Sequence, residues 1–152
     1  MQARWLQHNG HSDLIVIFGG WALGAEMFRH LTGPADVLFL DDYRDLDGLP
    51  VRSGYERRTA VAYSFGVAAI AHLDESMRDQ FDRTVAINGS PAPVDRKLGI
   101  PPVIFQKTLD GLSEESFQSF TALCFGDSQP HIPIDVSARA DELVAVQKRV
   151  PA

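Results

Sequence analysis

The order of short apolar runs constrains the fold of this chain more than any other feature. Strand-like runs occur at 14–18 (LIVIF), 36–40 (DVLFL), 59–63 (TAVAY) and 84–87 (TVAI). The first run is apolar throughout, which is typical of a strand covered on both faces. Helix-forming stretches follow the first and third runs, at about 23–31 and 65–73. This alternation, with short turns between, predicts an open, largely parallel sheet with helices on its faces.

The two ends of the chain depart from this pattern. Near the N-terminus, residues 4–7 read as a strand, and the Asn9-Gly10 turn pair predicts a β-hairpin with 14–18. Past residue 91, proline-rich segments lead into helical stretches near 102–109, 113–123 and 138–148, and no strand is predicted after Ile87. We expect one domain over 1–152, with a sheet core over about 1–91 and a helical cap over about 92–150.

Composition excludes several classes of protein. A formal net charge of −6 argues against a nucleic-acid binder, which needs a basic surface. The longest apolar stretches are too short to span a bilayer, and the N-terminus does not read as a secretory signal. The single cysteine, Cys124, favours a reducing compartment, so we expect a cytoplasmic protein that does not bind membranes. We expect Cys124 itself to be a small apolar core residue.

Ser64 lies at a junction between a strand and a helix. The segment Ala62-Tyr63-Ser64-Phe65-Gly66 has the spacing of a nucleophile elbow, with alanine at the position that is usually the first glycine. In that geometry the helix N-terminus lies beneath the serine, and the Phe65 amide points at a developing oxyanion. The alternative is that Ser64 is an ordinary N-cap residue.

A second loop carries matching chemistry. Gly19-Gly20-Trp21 directly follows the buried LIVIF strand. In an acyl-transfer site of this architecture the second oxyanion donor comes from that loop, here the amide of Trp21. The alternatives are a plain turn or a phosphate-binding loop, although neither GxGxxG nor GxxxxGK[ST] is present. The two loops together favour an esterase.

Four segments then resemble a known family: FGGWALGAEMF (18–28), DDYRDL (41–46), AYSFGV (62–67) and 86–120, which is the most specific. They are similar to the BioG-type pimeloyl-[acyl-carrier protein] methyl ester esterases, which are α/β-hydrolases of biotin synthesis. The resemblance implies an α/β-hydrolase-like fold, Ser64 as nucleophile, and Trp21 and Phe65 as oxyanion donors. It implies an acyl-carrier protein carrying a pimeloyl methyl ester as partner, and no metal or organic cofactor.

The general base has no clear candidate in the sequence. Members of this family are longer and resemble other α/β-hydrolases, whose catalytic histidine follows the serine and the acid. After Ser64 the chain offers His72, which we assign to the helix surface, and His131, with Asp127 nearby as an acid. We therefore expect either a makeshift triad of Ser64, His131 and one of Asp127 and Asp135, with Asp127 preferred, or a base in a C-terminal part that this chain lacks.

Three further expectations concern binding. The aromatic residues Phe105, Phe117 and Phe120 line an acyl channel or simply pack the cap onto the sheet. Basic residues of the cap, Arg96-Lys97, Arg139 and Lys148-Arg149, steer an acidic carrier protein or are scattered solvated charges. A sheet that lacks strands exposes an edge, so a homo-oligomer is expected.

The rival functions are a non-catalytic acyl or carrier-binding module and a generic carboxylesterase or thioesterase.

Overall fold

The computed structural model describes residues 1–49 and 53–149. Its strands are β1 (Gln2–Gln7), β2 (Asp13–Phe18), β3 (Asp36–Asp41), β4 (Arg57–Tyr63) and β5 (Arg83–Ile87). Its α-helices are α1 (Phe65–Ala71), α2 (Glu75–Arg78), α3 (Pro102–Asp110), α4 (Glu114–Phe125) and α5 (Val136–Lys148). A short 3₁₀ helix covers Ala25–Phe28.

One five-stranded sheet forms the centre of the fold, in the order β1-β3-β2-β4-β5. Strands β2 to β5 are parallel to one another, and only β1 runs antiparallel, at one edge. Every residue of β3 is buried, including the aspartates at its two ends, Asp36 and Asp41. The α/β-hydrolase-like, mostly parallel architecture expected from the sequence is therefore confirmed.

The N-terminal hairpin prediction is wrong. Strand β1 pairs with β3, with Trp5 opposite Leu38, and not with β2. The reason is polarity: β1 carries glutamine and arginine side chains that suit an edge, whereas the apolar β2 buries more area between two parallel neighbours. The connection after β1 is held by Asp36, whose carboxylate accepts the N–H groups of Asn9 (2.8 Å) and His11 (3.3 Å).

The helix predicted over 23–31 is also wrong, because only the 3₁₀ helix Ala25–Phe28 forms there. Both Ala22 and Gly24 have positive φ angles, of 60° and 70°, which are incompatible with a right-handed helix. The loop that follows β2 therefore stays irregular until residue 25.

The cap helices are joined to the sheet through a cluster of buried apolar residues. Trp21, from the loop after β2, packs with Phe105 of α3, Phe117 of α4 and Leu143 of α5. Helix α4 begins at a capping box formed by Ser113 and Ser116 and ends at Gly126, whose φ is 72°. These contacts bring three helices from the second half of the chain over a loop of the first half.

Strand β5 forms the other edge of the sheet, and most of its residues are exposed. An uncovered edge of this kind can pair with another chain. The homo-oligomer expected from the sequence remains a prediction. Among the described residues, no helix is long and apolar enough to cross a membrane.

Candidate active site

The carboxyl ends of four parallel strands meet at one edge of the sheet, and backbone strain is concentrated there. The non-glycine residues with positive φ are Ala22, Asp42, Ser64 and Asn88, in the described part of the chain. Asp42, Ser64 and Asn88 each directly follow a strand, and Ala22 lies in the loop after β2. Such conformations cost free energy and accumulate at functional sites, so this edge is the candidate active site.

Ser64 has the backbone of a nucleophile elbow and not that of an ordinary helix cap. Its φ is 54° and its ψ is −121°, and its side chain makes no capping hydrogen bond to α1. An N-cap serine has an extended backbone and accepts a hydrogen bond from an N–H of the first turn. The N–H of Ser64 donates instead to the carbonyl of Ile87 (3.0 Å), which ties the turn to the end of β5.

Close backbone packing explains why small residues surround the elbow. A Cβ at Gly66 would overlap the carbonyl oxygen of Phe18, and a Cβ at Gly89 would overlap that of Ser64. Ala62, at the position of the missing first glycine, is fully buried between Phe18 and Ala86. Alanine is tolerated there because the residue lies within β4, before the turn.

The loop after β2 lies directly against Ser64. A Cβ at Gly20 would come within 3.4 Å of the Ser64 Cβ. The N–H of Gly19 is already bonded to the carbonyl of Leu40 (2.9 Å). In the described part of the chain the backbone N–H of Trp21 has no hydrogen-bond acceptor, and its indole Nε1 donates to the carbonyl of Arg139 (3.2 Å).

Phe65 supplies a second amide near Ser64. It is the first residue of α1, so its N–H has no acceptor within the helix. The Ser64 N–H is excluded as an oxyanion donor because Ile87 already accepts it. The residues predicted from the sequence, Ser64, Trp21 and Phe65, are therefore brought together at one edge of the sheet.

An apolar cavity of ≈ 190 Å³ opens beside Ser64, between the sheet edge and the cap helices. It is lined by Trp21, Leu23, Tyr63, Ser64, Phe65, Asn88, Ile100, Phe105, Thr108, Phe120, Cys124, Phe125 and Leu143. Phe105 and Phe120 line this cavity, and a role in binding an acyl chain stays a prediction for both. Phe117 lines neither this cavity nor the next, but is buried edge-on against Trp21, with ring centroids 5.5 Å apart.

A second cavity, of ≈ 300 Å³, also reaches Ser64. Its wall comes from the segment after β5, namely Asn88, Gly89, Ser90, Pro93, Leu98, Gly99 and Ile100, together with Phe65. Ser64 therefore stands between a space under the cap helices and a space bounded by the 93–100 loop. Asn88 lines both cavities, although no sequence motif predicted it as a site residue.

The predicted base and acid lie apart from these cavities. His131 is exposed, and its Nε2 is 3.7 Å from a carboxylate oxygen of Glu114. Asp127 is also exposed and accepts the N–H of Ser128 (2.7 Å). His72 Nε2 is 3.1 Å from the carbonyl oxygen of Pro91. Among the described residues, no histidine lines either cavity that reaches Ser64.

A buried polar network holds α5 against the sheet edge, and the sequence analysis missed it. Glu142 is 1% exposed and accepts the N–H of Tyr43 (2.9 Å) and a hydrogen bond from Arg139 (2.8 Å). Burial raises the pKa of Glu142. Asp42 accepts two hydrogen bonds from Arg44, which hold the pKa of the Asp42 carboxyl below its usual value. The i,i+3 spacing of Arg139 and Glu142 was the available signal.

Cys124 is not the core residue that the sequence suggested. It is exposed and lines the apolar cavity, and partial burial raises the pKa of its thiol. The position near the end of α4 explains this, because that turn faces the cavity and not the sheet. Among the described residues, no group of three His, Cys, Asp or Glu side chains could hold a metal ion.

Comparison with known proteins gives relatives for almost the whole chain. A 148-residue alignment to the malonyl-[acyl-carrier protein] O-methyltransferase of Bacteroides fragilis has 32% identity and covers 90% of this chain but 30% of that protein. An uncharacterized protein of Haemophilus influenzae is 32% identical over 129 residues, which are 84% of this chain and 59% of that protein. The chain thus spans under two thirds of the length of both relatives.

Solved structures agree with the fold. The crystal structure of BioG from Haemophilus influenzae matches with a TM-score of 0.83 and 28% identity, over 96% of this chain and 71% of that one. A lipase-esterase related protein from Clostridium acetobutylicum matches in fold, with a TM-score of 0.69 and 12% identity, over 97% and 71%. The sequence model of the pimeloyl-ACP methyl esterase BioG matches residues 1–135. On this evidence the chain belongs to the BioG family.

Proposed function

We propose that this protein is a serine carboxylesterase that hydrolyses the methyl ester of pimeloyl-[acyl-carrier protein] in biotin synthesis. The observation that carries the proposal is the strained, uncapped Ser64, which lines an apolar cavity together with Trp21 and Phe65. Family membership supports the reaction type and the carrier protein as partner. The protein acts in the cytoplasm in this proposal and needs no cofactor.

In the proposed reaction, Ser64 Oγ attacks the ester carbonyl and loses its proton to a general base. The N–H groups of Trp21 and Phe65 stabilise the oxyanion that forms on the carbonyl oxygen. The proton passes to the leaving oxygen, and methanol departs as the acyl-enzyme forms. Water then attacks the acyl-enzyme, which releases the free ω-carboxylate and restores the Ser64 hydroxyl.

The general base is the remaining group that the proposed reaction needs. The sequence assigns it to His131, with Asp127 as the acid, and these remain the proposed residues within this chain. The absence of a histidine from the described cavity linings favours a second candidate function. This is a non-catalytic module that binds the acyl chain or its carrier.

Labelling with a fluorophosphonate, read by intact mass, separates the two functions. An activated serine gives one adduct per chain, and the adduct disappears in Ser64→Ala. Ser90→Ala is the matched control, since Ser90 lines the second cavity but its hydroxyl is bonded within its own turn. Labelling that also disappears in His131→Ala supports His131 as the base. A folded protein that takes no label refutes the esterase for this chain and favours the binding module.

A further inference from the structure

The loop over 93–100, which borders the second cavity, is held in one conformation. The carboxylate of Asp95 accepts the N–H groups of Lys97 (2.7 Å) and Leu98 (2.8 Å). The chain closes on itself through hydrogen bonds from Ile100 to Pro93 (2.8 Å) and from Asp95 to Ile100 (3.1 Å). Side chains at the tip of this loop are therefore presented from a fixed backbone.

The segment that contains this loop and most of α3 is positively charged, whereas the protein as a whole is negatively charged. Between Asp95 and Asp110 the sequence contains Arg96, Lys97 and Lys107 and no carboxylate, in a chain whose formal net charge is −6. All three side chains are exposed, and within the described residues none of them forms an ion pair. Asp95 directly precedes Arg96 in the sequence. Its carboxylate points into the loop, where it accepts backbone N–H groups.

Two other basic residues of the cap are already occupied. Arg139 is bonded to Glu142 (2.8 Å), and Arg149 donates to the backbone carbonyl of Tyr43. Both side chains therefore belong to the buried network and are not available on the surface to bind a partner. Lys148 is exposed at the end of α5, whereas the other three cap cations without an ion pair among the described residues all lie in the 96–107 segment. That segment is therefore the main candidate for steering a carrier protein.

The same segment exposes apolar side chains. Leu98 at the loop tip is 69% exposed, and Val103 and Ile104 in the first turn of α3 are 75% and 53% exposed. The loop runs directly into α3, and Val103 and Lys107 share one face of that helix because they are four residues apart. Cations around exposed apolar residues are characteristic of a surface that binds an acidic, amphipathic partner.

We propose that Arg96, Lys97, Leu98, Val103 and Lys107 form a docking face for the acidic carrier protein that delivers the acyl ester. Leu98 also lines the cavity that reaches Ser64, so a carrier bound here would hold its acyl arm at the mouth of that cavity. The docking face binds the folded surface of the carrier protein, and not only the phosphate of its phosphopantetheine arm. This inference rests on the proposed function, because that function names the carrier.

Binding of apo-carrier protein, which has no arm and no ester, tests the docking face without any chemistry. Fluorescence anisotropy of a labelled apo-acyl-carrier protein is titrated with the full chain and with Arg96→Glu/Lys97→Glu. We expect at least about tenfold weaker binding, because each exposed ion pair is worth up to roughly 1 kcal/mol and reversal adds repulsion. Leu98→Ser tests the apolar part, with an expected loss of about tenfold.

A matched control makes the same change in net charge elsewhere. Arg78 and Arg83 are exposed, and Arg83 begins β5 at the end of the sheet opposite Ser64. Arg78→Glu/Arg83→Glu should leave carrier binding within about twofold, since general repulsion at ordinary ionic strength is screened. Thermal unfolding of each variant, followed by circular dichroism, confirms that it is folded.

The outcomes separate docking from catalysis. Weaker binding of the apo-carrier only in the 96/97 and Leu98 variants supports the docking face, whether or not Ser64 takes a fluorophosphonate. Equal binding by wild type and Arg96→Glu/Lys97→Glu overturns it, and so does failure of the wild type to bind apo-carrier. If only carrier that bears the phosphopantetheine arm binds, the face recognises a phosphate and the proposal is also wrong. A change in self-association, with carrier binding unaltered, assigns the face to a second copy instead.

Discussion

Glycine at position 64 should make the protein more stable than alanine does, which is the reverse of the usual order. Ser64 has φ 54° and ψ −121°, a conformation that costs a residue with a Cβ about 2 kcal/mol. Glycine removes that strain but adds conformational entropy to the unfolded chain, at about 0.7 kcal/mol. Ser64→Gly is therefore expected to be more stable than Ser64→Ala by about 1 kcal/mol, a difference of roughly 2–4 °C in melting temperature.

Equilibrium unfolding in urea of the two variants measures this difference directly. Both lack the Oγ atom, so the comparison isolates the backbone. Ser119, an exposed residue inside α4, provides the control, because there glycine should be less stable than alanine by about 1 kcal/mol. If Ser64→Gly unfolds at the same or lower urea concentration than Ser64→Ala, the turn is not strained and the elbow assignment loses its physical basis.

Three other expectations follow from packing and charge. Gly66→Ala should destabilise the fold by about 3 kcal/mol in urea unfolding, because its Cβ would overlap the Phe18 carbonyl, whereas Gly33→Ala, in open space, should cost almost nothing. Since burial raises the pKa of Glu142, its contribution to stability is full at low pH and is lost as pH rises through that raised pKa. The free energy of unfolding of Glu142→Gln, relative to that of wild type, should thus increase progressively between about pH 4 and pH 8. A difference that stays constant with pH would contradict this. Alkylation of Cys124 should be slow at neutral pH, because burial raises the pKa of its thiol, and an acyl ester in the cavity should slow it further, as read by mass.

Local patterns predicted the strands and the elbow correctly, because each depends on residues close in sequence. The run of apolar residues in β2 and the small residues around Ser64 are signals of this kind. Pairing is a global property, so the Asn9-Gly10 turn suggested a hairpin while burial of β2 between two parallel strands decided the order of the sheet. The positive φ of Gly24 ended a helix that apolar spacing favoured.

The positions of Ser64, Trp21 and Phe65 beside one cavity could be predicted because they follow from strand ends and glycines, which a sequence shows directly. Their catalytic roles stay predictions. The buried contacts of Glu142 with Tyr43 could not be predicted, because they join residues whose meeting depends on how α5 packs. The distance between His131 and the Ser64 cavities likewise depends on the course of the chain through the cap.

The contacts that steady the loops after β2 and β3 also set the order in which the site can assemble. Trp21 is bonded to Arg139 across 118 residues, Tyr43 to Glu142 across 99, and Arg149 to Tyr43 across 106. Such non-local contacts close large loops and form late in folding. On a ribosome, the nucleophile turn and its strands emerge long before α5. The nascent chain therefore carries Ser64 beside loops that stay unfixed until synthesis has passed Arg149, and the apolar cavity is complete only when α5 has packed.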